Sequence, residues 1–147
     1  METKFNFKSA ICTSREQSER LLALGLKKET ADMGWGTITL NGEPITFSSE
    51  DSWDNVEITE IHIPAWSLGR LIEMLPSLIK LKEDLPTFHP YAYLELSQVA
   101  VSYTWEDYDC CDRQLAGFYG NGLFAAVVDV IEWLIKEGYF NKEYLEE

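Results

Sequence analysis

The densest run of chemically active side chains in this sequence is Trp105-Glu106-Asp107-Tyr108-Asp109-Cys110-Cys111-Asp112. Four carboxylates fall within seven positions there, beside a phenol and two thiols. Oxygen ligands at that density could hold a hard cation, or the acids and Tyr108 could receive a basic protein. The run lacks the fixed spacing and central glycine of an EF-hand loop, and a solvated turn after a strand uses the same residue types. A second acidic and aromatic combination is Asp51-Ser52-Trp53-Asp54, with the indole in an otherwise polar loop. Interface anchors are typically aromatic, while surrounding charge speeds and selects the encounter. Trp53, Asp51, Asp54, Asp107, Tyr108 and Asp109 are therefore the candidate binding residues, and their catalytic use is left unassigned.

Other chemistries find less support. His62 and His89 are the only histidines, and neither has a second ligand at helix or turn spacing. Structural zinc takes four N/S ligands and catalytic zinc three, so no metal and no cofactor is expected. No local sequence supports a Cys–His pair, and a hydrolase site using Asp109, Asp112, a Cys and a His would have to be assembled by the fold. Cys12 reads as a small buried residue where a strand meets a helix. Gly34-Trp35-Gly36 and Gly120-Asn121-Gly122 are too short for a phosphate-binding loop and read as tight turns.

The bulk numbers narrow the partners. The net charge is −13, and the 12 basic residues form no run. Such a chain repels nucleic-acid phosphates and anionic lipid, which leaves another protein as the expected partner. Met1–Lys8 has no apolar core of a secretory signal. The longest apolar run, Leu123–Val128, is far short of the ~20 residues a spanning helix needs. Three cysteines, two of them adjacent, make a poor disulfide framework, so reduced thiols and a cytoplasmic location are expected.

Few elements are needed to position these residues. Alternation at Phe5 and Phe7 predicts a first strand. Thr13 and Glu16 have capping-box spacing, which predicts a helix from Thr13 with a Glu16–Arg20 pair on its surface. Leu21, Leu22 and Leu24 form its buried end, and Gly25 suits a left-handed C-terminal cap. Asn41-Gly42 between Thr37–Leu40 and Ile45–Phe47 predicts a hairpin whose second strand is an edge, because Pro44 donates no ladder bond. Val56, Ile58, Ile61 and Ile63 suggest one further strand or two short ones.

Ser67 is placed to cap a helix carrying Leu68, Leu71, Ile72 and Leu75 at i, i+3, i+4 and i+7, ended by Pro76. Ser77–Leu85 is open between helix and irregular structure. Tyr91 and Tyr93, then Val99, Val101, Tyr103 and Trp105, predict two antiparallel strands turning near Ser97-Gln98. Asn121 can cap a final helix to about Glu137, with Leu123, Val127, Ile131 and Leu134 on one stripe and Gly138 as its stop. Its polar stripe is only Asp129, Glu132 and Lys136. The sum is one α+β domain over residues 1–147, with antiparallel hairpins packed against about three helices.

Four segments also resemble a known kind of protein. They are Thr13-Ser14-Arg15-Glu16-Gln17-Ser18-Glu19-Arg20-Leu21-Leu22, Thr30-Ala31-Asp32-Met33, Pro64-Ala65-Trp66-Ser67-Leu68 and Ile131-Glu132-Trp133-Leu134. Together they are similar to a family of small uncharacterised bacterial proteins carried by prophages and mobile elements. The resemblance implies an accessory role and assigns no catalytic residue. Three functions then compete: a non-enzymatic protein-binding accessory factor, an acidic mimic of nucleic acid, and a small hydrolase. Carboxylates interleaved with Lys and Arg in the first helix weaken the mimic, which needs acids along one face.

Overall fold

The computed structural model describes residues 10–40, 43–48 and 63–147. Over these residues the fold is α+β, with three α-helices and two antiparallel sheets. The smaller sheet has the order β2-β1-β3, formed by β1 (Met33–Leu40), β2 (Glu43–Ser48) and β3 (Ile63–Ala65). Leu40 pairs with Glu43 across the predicted hairpin, and Pro44 does lie on an edge strand. The larger sheet is a meander of β4 (Leu78–Lys80), β5 (Tyr91–Leu96), β6 (Ala100–Glu106) and β7 (Asp112–Tyr119) in sequential order. The predicted strand at Phe5 and Phe7, the turn at Asn41-Gly42 and the segment Val56–Ile61 lie outside the described residues.

The first helix, α1, runs Arg15–Ala23 and starts one residue later than its capping-box spacing predicted. Ser14 is the N-cap, and Gln17 supplies the reciprocal bond back to the Ser14 N–H. Thr13 is fully buried and has other partners: its N–H donates to the Trp66 carbonyl, and its Oγ1 accepts from the Trp66 N–H. A long-range bond thus took the hydroxyl that local spacing had assigned to a cap. Arg20 likewise leaves Glu16 aside and reaches Asp129 at 2.7 Å and Glu132 at 2.5 Å. Gly25, at φ 100°, closes α1 in a Schellman turn: Gly25 N–H donates to Leu22 O and Leu26 N–H to Leu21 O.

Residues 13–22, 30–33, 64–68 and 131–134 meet around α1. Trp66, with no exposed surface, donates its indole N–H to Thr30 Oγ1 at 2.9 Å. Asp32 accepts from the Ser67 N–H and hydroxyl, and Ser67 Oγ in turn caps α2 (Leu68–Met74) by accepting from Arg70 N. Glu132 holds Arg20 from the last helix. What these segments share is architecture.

The last helix, α3 (Leu123–Glu137), packs on β6 and β7 and touches α1 and α2. Ala126, Val127, Val130, Ile131 and Leu134 are fully buried against Val101 and Tyr103 of β6. Gly138, at φ 76°, stops α3 as its position predicted. Its start differs from expectation: Gly122 at φ 111° is the N-cap, with no side-chain bond, so Asn121 does not cap it. Within Ser77–Leu85, Leu78–Lys80 form the short strand β4, with Ile79 paired to Ala92, and the rest is irregular.

Candidate functional site

Among the described residues two places expose unusual chemistry, and they lie at opposite ends of the β6–β7 hairpin. One is the turn between the two strands, Asp107–Cys111. The other is a pocket at the start of α3, beside the Val99 carbonyl that accepts from Gly120 N–H. Strands of seven and eight residues separate the two by roughly 20 Å at ~3.3 Å per residue.

The turn is built around Asp107, which is 7 % exposed. Its Oδ1 accepts from the N–H groups of Asp109 and Cys111, both at 2.9 Å, and its Oδ2 from Arg113 Nε at 2.8 Å. The Cys111 N–H and then the Arg113 guanidinium hold its carboxyl below the usual carboxylate range. Cys110 takes the left-handed backbone conformation at φ 60°, which side chains other than Gly, Asn and Asp rarely adopt. Asp107 therefore organises the turn, with both oxygens occupied. Tyr108 and Asp109 point the other way on the burial scale: Asp109 is exposed and Tyr108 is 53 % exposed.

Tyr108 is not alone there. Its N–H donates to the Pro86 carbonyl at 2.9 Å, which fastens the loop between β4 and β5 to the turn. Phe88 in that loop is 73 % exposed and meets the Tyr108 ring edge-on, with centroids 4.5 Å apart and planes at 66°. A bond from His89 N–H to Thr87 Oγ1, returned from that hydroxyl to His89 O, stiffens the loop around Phe88. Tyr91, 46 % exposed, follows at the start of β5. Phe88 had a sequence signal that went unread: a large aromatic between Pro86 and Pro90 has no regular element to bury it. Trp53, Asp51 and Asp54 lie outside the described residues.

The second place is a pocket of about 620 Å³ lined by Cys12, Gln17, Trp35, Leu68 and the first residues of α3. The Trp35 indole N–H donates to Thr13 O at 2.8 Å and Arg15 lies 5.9 Å from the ring centroid. Burial, and next the charge of Asp32, push the Cys12 thiol up. A thiol held protonated is a poor nucleophile, and among the described residues no histidine lines this pocket. Cys12 is buried, whereas Cys110 and Cys111 are free and exposed at the other end, between Asp109 and Asp112. Among the described residues no group of three His, Cys, Asp or Glu is placed to hold a metal ion. Among them, too, no helix is long and apolar enough to cross a membrane.

Comparison with family models, with curated proteins and with solved structures gives no match, so the site is read from its own geometry.

Proposed function

We propose that this chain works by binding another protein, with the Phe88–Tyr108 end of the larger sheet as its working surface. The observation that supports this reading is the edge-to-face ring pair, exposed at 73 % and 53 %. Water gains by losing contact with two such rings, and folding has not used that gain. The rings are also pre-positioned, Tyr108 through Pro86 and the Asp107 turn, so little ordering entropy remains to be lost on association. Asp109 beside them supplies the charge that steers encounter. In the setting that the family resemblance implies, the partner belongs to a host cell or a phage, and the chain is an accessory protein without catalysis of its own.

The test is capture from the native host with the parent protein and a Phe88→Ala/Tyr108→Ala variant. The variant should lose the parent's partner while its melting temperature stays nearly unchanged. Retention of every parental partner sinks the reading.

A further inference from the structure

Helix α3 covers one face of the larger sheet, and among the described residues no helix packs over the other. Ala92, Val101 and Tyr103 point into the core, so their neighbours on each strand point out. On β5 these are Tyr91, Tyr93 and Glu95, and on β6 the outward end residue is Glu106. The register sets Tyr93 opposite Thr104, Glu95 opposite Ser102 and Glu106 opposite Asp112. The Tyr93 hydroxyl spans β6 to donate to Asp112 Oδ1 at 3.1 Å. The register thus sets Glu95 toward one end of this face and Glu106 with Asp112 toward the other, with Tyr93 between them. Desolvation, the Asp112 bond and then the fields of Glu95 and Glu106 hold the phenol above its ordinary range.

This arrangement works against the sheet's own stability. Like charges directly opposite on neighbouring strands repel, and Glu106 faces Asp112. Among the described residues neither they nor Glu95 has an ion-pair partner, since Arg113 is taken by Asp107. Lys80, opposite Tyr91 on β4, is the cation that the register adds to this face. A second copy would bring the same acids and its own −13 charge, and phosphate polymers are repelled for the same reason. No three of the carboxylates are grouped closely enough to hold a metal ion.

A flat aromatic ring with separated carboxylates around it suits a planar, delocalised cation on a protein side chain. A guanidinium can stack on the ring and still present its N–H fork to a carboxylate at either side. We propose that the open sheet face receives an arginine-bearing segment of a basic protein, its guanidinium on Tyr93 and its N–H groups on Glu95, Glu106 and Asp112. The proposal rests on the protein-binding reading above and names the chemistry of the partner.

The experiment uses a fluorescent peptide of alternating arginine and serine, with a lysine counterpart, and reads anisotropy at moderate salt. The variant Glu95→Gln/Glu106→Gln/Asp112→Asn is compared with Glu29→Gln/Glu83→Gln/Glu146→Gln, which changes net charge equally at exposed sites elsewhere. The first should weaken arginine-peptide binding by about tenfold or more, and the second by no more than about twofold. Tyr93→Leu should weaken it as well, and the lysine peptide should bind the parent less tightly. Equal weakening by the two triple variants would reduce the effect to bulk acidity and overturn the proposal. Equal binding of the two peptides would remove the guanidinium seat. Phe88→Ala/Tyr108→Ala serves in the same assay: if it loses native partners yet binds peptide normally, both readings stand. If it keeps those partners while the face variant loses peptide, only the ring-pair reading falls.

Discussion

The two faces of the β4–β7 sheet are made from alternate residues of the same strands, yet they carry opposite physical designs. On the α3 side, Val101 and Tyr103 have no exposed surface, and Trp133 joins Tyr103, Phe118 and Tyr139 in an aromatic cluster with centroids about 6 Å apart. The Tyr103 hydroxyl on this side donates to the Pro76 carbonyl at 2.7 Å. Burial pushes that phenol well above its usual range, so it stays a neutral donor. On the open side the phenols meet carboxylates and water. Folding free energy comes from the first face, which leaves the second free to be shaped by something other than stability. The comparison predicts how substitutions on each side should behave.

The largest effect belongs to the covered face. Ile131 of α3 is fully buried in the core, so Ile131→Ala should cost about 2–5 kcal/mol through lost transfer energy and the cavity left behind. Denaturant melts measure this directly. A loss below about 1 kcal/mol would mean that α3 is not the base of the sheet, and the contrast between faces would collapse.

A smaller effect is expected at the turn that joins β6 to β7, where Asp107 satisfies two backbone N–H groups and Arg113. Asp107→Asn should lower the melting temperature at neutral pH more than Asp109→Asn, because Asp109 is exposed. The sign with pH follows from the depressed carboxyl. Its contribution is present above the unfolded value of about 3.9 and fades as pH falls through the lower folded value. Parent and Asp107→Asn should therefore converge in acid, below about pH 4. A gap that persists unchanged there would assign the stabilisation to shape rather than charge.

Local signals in the sequence were enough for the covered face and its framework. The apolar stripe of α3, the glycines at 25 and 138, the Ser67 cap and the hairpin near Ser97 are each fixed by neighbours within a few residues. Long-range contacts account for the rest. Thr13 and Arg20 were drawn from their local partners by Trp66 and by α3, more than 50 and 100 positions away. Strand β4 is three residues long and exists because Ile79 finds Ala92, not because its own pattern demands it. At the candidate site, Tyr108 was visible as an aromatic among acids, but Asp107 reads identically to Asp109 until the turn closes on it. Phe88 became part of the site only through the Tyr108 N–H bond to Pro86.

The smallest expected effect lies on the open face, and it is the sharpest check on the contrast. Tyr119 is opposite Ala100 on the register that faces away from α3, and 73 % of it is exposed. A tyrosine pointing into the core from the same strand pair would cost several kcal/mol to truncate, as buried aromatics do. Tyr119→Ser removes a ring that folding has hardly taken from water, and the hydroxyl bonds of Tyr93 to Asp112 and of Tyr103 to Pro76 do not involve it. Surface changes of this kind fall within about 0.5 kcal/mol of zero. Some loss of β propensity is expected, since an aromatic suits a pleated strand better than serine, and it stays within that margin. A measured loss above about 1.5 kcal/mol would show that the ring is packed by a further layer, and the face would then not be open at its β7 margin. Near-neutrality, set beside the cost of Ile131→Ala on the other side of the same strands, would fix the covered face as the seat of stability.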